Sequence, residues 1–542
     1  MPEPHVIVAP VIEEVGFGVV SKLRHLKVDH GLVTTLVERW RLETHTFHLP
    51  IGECTITLQD VSLQLGLRVD GPPVIGPTMF DWEDMCDTLL GITPIKGESL
   101  VGSTVKLKWL RENMLPIHDD SSLDKIHAHA RAYILGLIGG VLMPDKTGNK
   151  VHLMYLNFLS NLRRTRRYSW GTACLVVLYR EMCRAIDRHS KTMGGCAPLL
   201  QSWAWFRMPF IAPISRLQFS FPLVCRWSGG RVLTIQNVPH NDLIGYRSRL
   251  DHIEHNQVTL YLSFKSFLVK NESDNDGPLT RFTWAPYEGL ESIIPAQAYK
   301  DQALWTSCTT LICFAIVEWH QSDRVKLQFR LSQHVPELPN NLDDLHKVDM
   351  KGKQDENWGT RHAQWIDVWN NRRDLTLTGI PVLGPLIHTS EYMSWYFENA
   401  ILFLSVPQML NDPRMHRALT STHLHSPEYH HSRDHENTHH AEASMDARRH
   451  SLSSFSNLGM PSLFGTYAPT TPSAHAIGGP YDNSFYFVES HNKICTSFAT
   501  YGGGEGEEHI QRQPSPEEPP RPPQEEPPRP PHGRRNPTRN RR

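Results

Sequence analysis

The sequence lacks the features that mark several large classes of protein. None of its nine cysteines forms a CxxC pair, and several lie inside apolar runs, where a reduced thiol behaves as a small hydrophobic side chain. This usage favours a reducing compartment, the cytosol or the nucleus. The formal net charge is only −2, so any contact with nucleic acid or a membrane would have to be local.

Long apolar runs and a secretory leader are also missing. The longest apolar run, from Ala132 to Met143, is much shorter than the roughly 20 residues that cross a bilayer as a helix. The first residues, MPEPHVIVAPVIEEVGFG, contain neither a basic segment nor a long apolar one, so a signal peptide is not expected. We therefore expect a soluble intracellular protein with no membrane contact.

Recognisable catalytic motifs are absent as well. The chain has no GxSxG, HExxH or Walker A sequence, and no GxGxxG with a following acidic residue. His127 and His129 lie near Asp124, but no nucleophile stands at a recognisable spacing, which favours capping or surface roles. The sequence thus predicts a non-enzymatic protein without catalytic, cofactor-binding or metal-ligating residues. An enzyme with an unrecognised transferase or hydrolase site remains the alternative.

What the chain does contain is a strongly helical centre between Arg131 and Pro213. Two segments carry apolar residues at the one-face spacing of an α-helix, and Pro198 stands where a further helix would begin. These apolar positions are Ala130, Tyr133, Ile134, Leu137, Ile138 and Val141 in the first segment, and Leu175, Leu178, Tyr179, Met182, Cys183 and Ile186 in the second. The pattern predicts one large, mainly α-helical domain with a few short β-strands.

Segments around this centre are predicted from local signals. THTFHL and ECTIT read as a hairpin, and Thr57 and Asp60 have the spacing of a capping box before a helix that Gly66 ends. Further helices are predicted from Leu32 to Trp40, in short pieces over 81–115, from Leu153 to Leu162, as a buried helix over 303–320, and over 361–373 and 391–404; residues 211–246 are predicted to be irregular.

The character of the chain changes near Pro413. All 14 tryptophans precede Tyr396, and the following residues are first His-rich and then Pro-rich, ending in a repeat, PEEPPRPPQEEPPRPP. Such composition does not repay the entropy of ordering, so residues 411–542 are predicted to be a disordered tail. Residues 1–15 are predicted to be a flexible lead. The His-rich stretch could bind divalent metal or be merely a biased composition.

Two groups of arginines are candidates for binding. Arg163, Arg164, Arg166 and Arg167 could contact the phosphates of nucleic acid, or could end the preceding helix by favouring its negative dipole end. The tail arginines Arg534, Arg535, Arg539, Arg541 and Arg542 have no acid among them. They suit nuclear import or nonspecific nucleic-acid contact, or are simply a solvated terminus.

Several long blocks together resemble a known family. They include LVTTLVERWRLETHTFHLPIGECTITLQDVSLQLGL, RAYILGLIGGVLMPDKTGNKVHLMYL, YSWGTACLVVLYREMCRAI, GGCAPLLQSWAWFRMP and EYMSWY. Their order is similar to that of the aminotransferase-like plant mobile domain of the Maintenance of Meristems proteins, over about residues 16–410. The family also occurs in transposable elements and joined to a long-form protein phosphatase.

The resemblance implies a function rather than a reaction. It implies a nuclear protein of meristem maintenance, transposon silencing and genome stability, with nuclear proteins and DNA or RNA as partners. It implies no catalytic residues and no cofactor, and the chain shows no lysine constellation of the kind a pyridoxal-phosphate enzyme needs. A transposon-derived protein without a host role is a further alternative.

Two departures from the family pattern stand out. Residues 258–281 are predicted to be an insertion, and Arg330 stands where relatives usually have Gly, which puts a tight turn there in question.

Overall fold

The computed structural model describes residues 3–23, 26–187, 190, 192–213, 215, 218–227, 241–253, 282–350 and 356–400. The predicted insertion, the predicted tail and the tail arginines lie outside the described residues. No helix within these ranges is long and apolar enough to cross a membrane.

The described part of the chain is mainly α-helical, as predicted. Its α-helices are α1 (Ala9–Glu14), α2 (His30–Arg39), α3 (Leu58–Leu65), α4 (Trp82–Leu90), α5 (Leu107–Glu112), α6 (Leu123–Leu137), α7 (Leu156–Leu159), α8 (Leu162–Thr165), α9 (Trp170–Ala185), α10 (Ala197–Arg207), α11 (Leu243–Asp251), α12 (Asp343–His346), α13 (Trp358–Arg361), α14 (Ala363–Asn370) and α15 (Ser390–Asn399). A π-helical turn, Ile138–Leu142, extends α6, and 3₁₀ turns span Val20–Lys22, Leu153–Tyr155, Pro209–Ile211, Leu223–Trp227, Ala296–Tyr299, Gln302–Leu304 and Ser322–Phe329.

Short antiparallel strands form three small sheets among these helices. The strands are β1 (Trp40–Arg41), β2 (Thr46–Leu49), β3 (Gly52–Cys54), β4 (Leu100–Val101), β5 (Thr104–Lys106), β6 (Lys150–His152), β7 (Thr309–Cys313) and β8 (Ile316–His320). They pair in the orders β1-β2-β3, β4-β5-β6 and β7-β8. Leu49 pairs with Gly52, which confirms the predicted hairpin.

Local signals placed several elements correctly. The Thr57–Asp60 capping box is present at the start of α3, and Gly66 ends that helix in the left-handed conformation. Pro198 lies in the first turn of α10. The two central apolar patterns form α6 and α9, whose apolar residues enter one core that runs from Val8 to Trp369.

The prediction of a helix over residues 303–320 is wrong. This segment forms the hairpin of β7 and β8, in which Cys313 pairs with Ile316 across the two residues Phe314 and Ala315. All five residues of β7 are buried, and the strand packs against α9. When a short run is apolar on both faces, the spacing of its apolar residues does not distinguish a strand from a helix. The β-branched residues in this segment favoured a strand.

Two other predictions need correction. The lead over residues 1–15 is packed on the core, since it contains α1 and since Val8, Ile12 and Val15 are buried. The helix predicted from Leu153 to Leu162 is interrupted: α7 stops at Leu159, and Asn161 caps the separate helix α8 with its side chain.

The turn at Arg330 is retained without glycine. Arg330 adopts a left-handed conformation with φ of 58°, and its guanidinium pairs with Glu288. A left-handed residue with a side chain costs about 1 kcal/mol relative to glycine. The turn thus tolerates this departure from the family pattern.

Among the residues that the structure describes, four arginine–carboxylate pairs are buried. They are Arg39–Asp251, Arg180–Glu318, Arg207–Asp60 and Arg324–Glu53. The two members of each pair are 138 to 271 residues apart in sequence, so each pair joins distant segments of the chain. Because a buried charge without a partner is very costly, each pair fixes how its two segments pack.

Removing one member of such a pair should destabilise the domain strongly. Arg324 Nε and Nη2 each donate to a different oxygen of Glu53 at 2.7 Å. We expect Arg324→Leu to lower the free energy of unfolding by about 3–5 kcal/mol, measured by urea denaturation, because the Glu53 charge is left buried and unpaired. The matched control is Lys108→Leu, which breaks an exposed pair with Glu112 and should cost under about 1 kcal/mol. Full stability of Arg324→Leu would contradict this account, whereas adding Glu53→Gln should restore part of the loss.

Buried histidines should make the fold labile to acid. Burial lowers the pKa of His48, His152 and His362 from 6.5 to about 4. The unfolded chain therefore takes up protons near pH 6.5 and the folded chain only near pH 4, so their contribution is complete above pH 6.5 and is lost as the pH falls to 4. We expect the free energy of unfolding to fall by up to about 1.4 kcal/mol per pH unit for each histidine in that window.

Denaturation at a series of pH values measures this slope. His152 Nδ1 accepts from the Met154 amide at 3.0 Å and Nε2 contacts Ser103 Oγ at 2.7 Å, so both ring nitrogens are engaged without a charge. The variant His152→Gln should reduce the slope, whereas His118→Gln, at an exposed position, should leave it unchanged. An equal slope in all three proteins would refute the assignment.

Candidate functional sites: an exposed arginine surface and a buried His–Cys–Glu cluster

The predicted arginine run lies on the outside of the domain. We call Arg163, Arg164, Arg166 and Arg167 the arginine surface. All four side chains are exposed. Among the residues that the structure describes, no acidic side chain pairs with any of them. Two lie on α8 and two in the turn that follows it, so the run does not end the longer helix predicted from the sequence.

The backbone beneath the arginine surface is held firmly. The Thr165 hydroxyl donates to the Phe158 carbonyl at 2.8 Å, and the Trp170 indole donates to the Thr165 carbonyl at 2.9 Å. The Ser169 amide donates to the Pro72 carbonyl at 3.0 Å. Gly71 approaches so closely that a Cβ there would lie 2.0 Å from the Arg167 carbonyl oxygen. The four cations are therefore presented from a fixed support.

A second group of arginines surrounds the adjoining loop. Arg372 and Arg373 both donate to the Asp70 carboxylate, and Arg68 lies 4.0 Å from it and 3.8 Å from Asp301. Burial opposes ionisation of Asp70, but the contacts with Arg372, Gly71 and Arg373 together outweigh it and lower the pKa of that carboxyl. Three arginines thus face two carboxylates, which leaves this loop with a positive balance beside the arginine surface.

A second candidate site is buried where α9, β8, α12 and the turn before β2 meet. Glu318 on β8 is its centre. One carboxylate oxygen accepts from Arg180, and the other lies 2.7 Å from His346 Nε2 and 3.0 Å from His45 Nε2. Arg180 also donates to the Val317 carbonyl at 3.1 Å. The carboxylate is therefore oriented from both sides.

Cys183 completes this His–Cys–Glu cluster of His45, Cys183, Glu318 and His346. The Cys183 sulfur and one nitrogen of each imidazole lie within 4.8 Å of one another. The Trp40 indole donates to that sulfur at 3.2 Å. A thiol and two imidazoles in such proximity are ligands of the kind that bind zinc.

The backbone and charge of His45 are both unusual. His45 has a positive φ of 51°, a conformation that a non-glycine residue adopts at a cost. Burial alone would lower its pKa, but contacts with Cys183 and Glu318 outweigh burial and raise that pKa to about 10. The Arg180 guanidinium and the two histidines hold the pKa of Glu318 below its usual range despite burial. The Glu318 carboxylate is thus held by Arg180 and His45, with His346 against its second oxygen.

The comparisons with known proteins agree with the resemblance of the sequence. The sequence pattern of the Plant mobile domain family matches residues 16–397. The chain belongs to the plant mobile domain family.

Three relatives from Arabidopsis thaliana share this domain. Serine/threonine-protein phosphatase 7 long form homolog is 38% identical over 403 residues, or 72% of this chain but only 28% of that protein. Protein MAINTENANCE OF MERISTEMS is 34% identical over 407 residues, or 74% of this chain and 75% of that protein. Protein MAIN-LIKE 1 is 33% identical over 389 residues, or 71% of this chain and 69% of that protein. No solved structure matches this plant mobile domain chain.

Sequence reasoning found one of the two candidate sites. The arginine surface of the plant mobile domain is visible in the sequence because its four arginines lie within five positions. The sequence does not reveal the His–Cys–Glu cluster, because its members come from four distant segments and have no motif spacing. In the sequence, Cys183 fits the apolar face of a helix. His45 itself carries no local signal, because it lies in a turn between the strands Trp-Arg and Thr-Phe-His-Leu, which contain polar residues of their own.

Proposed function

We propose that this chain is a non-enzymatic nuclear interaction module that contacts DNA or RNA through the arginine surface. The observation that carries the proposal is the set of four exposed guanidinium groups with no acidic partner among the described residues. By the family resemblance, we extend the proposal to meristem maintenance, transposon silencing and genome stability, with nuclear proteins as further partners. The name of one relative, Protein MAINTENANCE OF MERISTEMS, supports the first of these roles and states no reaction.

The geometry favours contacts to the phosphate backbone rather than to bases. The planar guanidinium fork matches phosphate oxygens. Because the backbone beneath the four groups is already fixed, only their side chains lose freedom on binding. The helix α8 has only four residues, too few to read bases from the major groove. Backbone contacts position a protein without selecting a sequence, so the proposed binding tolerates many sequences.

A catalytic role is the alternative that the first relative raises. The name of that relative includes the word phosphatase, but the match with this chain covers only 28% of that protein. We infer that the plant mobile domain recognises partners. Hydrolysis of a phosphoester by the purified chain would count against this inference.

The arginine surface can be tested by the salt dependence of binding. We expect the quadruple variant Arg163→Gln/Arg164→Gln/Arg166→Gln/Arg167→Gln to bind duplex DNA more weakly, because each phosphate contact releases bound counterions. The slope of log K against log salt should become shallower by up to about 3.6, since each contact contributes about 0.9. Fluorescence anisotropy with labelled duplexes of two unrelated sequences measures both quantities.

The matched control removes four other exposed cations. The variant Lys106→Gln/Lys108→Gln/Arg111→Gln/Lys146→Gln has the same change in formal charge at exposed positions. It should keep the parent slope. Equal slopes in both quadruple variants would show that the effect depends on net charge alone and would refute the arginine surface. No binding of single- or double-stranded DNA or RNA by the parent chain would refute the nucleic-acid proposal.

The tail arginines supply the proposed route to the nucleus. We expect Arg534→Gln/Arg535→Gln/Arg539→Gln/Arg541→Gln/Arg542→Gln to shift a fluorescent fusion from nucleus to cytoplasm, because basic clusters serve as import signals. Quantitative imaging in plant cells measures the ratio. The quadruple variant of the arginine surface is the control and should remain nuclear. A nuclear fraction unchanged by the tail substitutions would exclude this segment as the signal.

A further inference from the structure

The His–Cys–Glu cluster plays no part in the proposed binding of nucleic acid, and its chemistry is unexplained by packing. Buried polar residues normally find partners that satisfy each of their atoms. Here the His45 side chain is 1% exposed, and its Nε2 lies 3.0 Å from Glu318 but out of line for a hydrogen bond. His45, His346 and the Cys183 sulfur together place three ligand atoms within 4.8 Å of one another, an arrangement that a metal ion would fill.

We propose that His45, Cys183 and His346 bind one Zn²⁺ ion, with Glu318 as the fourth ligand. Ligand atoms at about 2.0–2.3 Å from a tetrahedral zinc ion stand roughly 3.3–3.8 Å apart. The sulfur and the two nitrogens already lie within 4.8 Å of one another. Small side-chain rotations would close the remaining distance. Glu318 Oε2 lies 3.0 Å from His45 Nε2 and 2.7 Å from His346 Nε2, so it would have to move away from both nitrogens to take the fourth position.

The surroundings of each ligand support this assignment. His45 Nδ1 lies 2.9 Å from the Trp319 carbonyl and donates its proton there, which directs Nε2 towards the cluster. A histidine that binds metal commonly donates its other ring N–H to a carbonyl in this way. The Trp40 indole N–H stabilises negative charge on the Cys183 sulfur, and Arg180 holds the far oxygen of Glu318.

The donor set selects the class of metal. One thiolate, two imidazoles and one carboxylate suit zinc, whereas magnesium and calcium prefer oxygen alone. All four positions come from the protein and the cluster is largely buried, so the site is of the closed, structural kind. Binding displaces the Cys183 thiol proton and leaves the imidazole Nε2 atoms as neutral donors; the protons pass to solvent.

The site would tie four segments together. Cys183 comes from α9, Glu318 from β8, His45 from the turn before β2 and His346 from α12. The helix α12 has only four residues and thus little stability of its own. A metal ion would fix α12 to the core. The metal would therefore act on the stability of the domain and not on a reaction.

The test must separate this site from the His-rich sequence near the C-terminus. Total metal content cannot do so, because those histidines can bind metal too. Cobalt(II) can, since a cobalt–thiolate bond gives a charge-transfer absorption in the near ultraviolet that imidazole alone does not give. We expect the full chain, stripped with a chelator and titrated with Co²⁺, to show this band, and Zn²⁺ to abolish it by displacing the cobalt.

Matched variants assign the thiolate. Cys183→Ser should lose the band, whereas Cys308→Ser, a partly buried cysteine outside the cluster, and Cys495→Ser, in the C-terminal region, should retain it. His346→Gln should weaken Co²⁺ binding by at least about tenfold, with His127→Gln as its control. Circular dichroism verifies that each variant is folded.

The cobalt titration of the wild-type chain can refute the proposal even if a variant does not fold. No thiolate band in the wild type, or a band that survives Cys183→Ser, would overturn the site. A band lost in Cys495→Ser but not in Cys183→Ser would assign the metal to the C-terminal region instead. Neither result would affect the arginine surface, which contains none of these ligands.

Discussion

Residues 55–57 leave strand β3 and cross the core as extended backbone before α3 begins. They are buried, but they are not part of a sheet, so their peptide groups must find partners among side chains. Gln328 satisfies Thr55 on both sides, because its oxygen accepts from the Thr55 amide and its nitrogen donates to the Thr55 carbonyl. Trp203 donates to the same carbonyl, and Tyr179 donates to the carbonyl of Ile56. The packing of α9, α10 and the 3₁₀ turn Ser322–Phe329 therefore depends on this short link.

Buried charged pairs on both sides of residues 55–57 also need partners from other segments. Glu53, just before it, binds Arg324, and Asp60, just after it, binds Arg207. The desolvation cost of such pairs often exceeds their attraction, so they contribute little to stability compared with apolar packing. What they do exclude is any other arrangement, because an alternative packing would leave a charge in the core without a partner. The buried polar groups thus specify which packing the large apolar core adopts.

The difference between interactions close in sequence and interactions between distant segments explains how much of the fold could be predicted. The Thr57–Asp60 capping box and the apolar spacing in α6 and α9 were sufficient to predict these helices, because interactions between residues close in sequence determine where such helices form. The hairpin of β7 and β8 was not predictable from periodicity, since both of its faces are buried against other elements. The pairing of Arg324 with Glu53, 271 residues apart, depends on the tertiary fold alone. The same limit hid the His–Cys–Glu cluster.

The two environments of arginine in this domain follow from one rule. A guanidinium in the core needs a carboxylate of its own, and isolated arginines in apolar helices, such as Arg180 and Arg207, each have one. Four arginines within five residues could be buried only with several carboxylates brought to one place, at a large desolvation cost. The run from Arg163 to Arg167 therefore lies at the surface. A lone arginine within an apolar helix instead finds a partner elsewhere in the chain, a carboxylate for Arg180 and Arg207 and backbone carbonyls for Arg131. Arginines that are clustered in the sequence are thus exposed and available to a ligand, whereas isolated arginines in apolar helices are paired within the core.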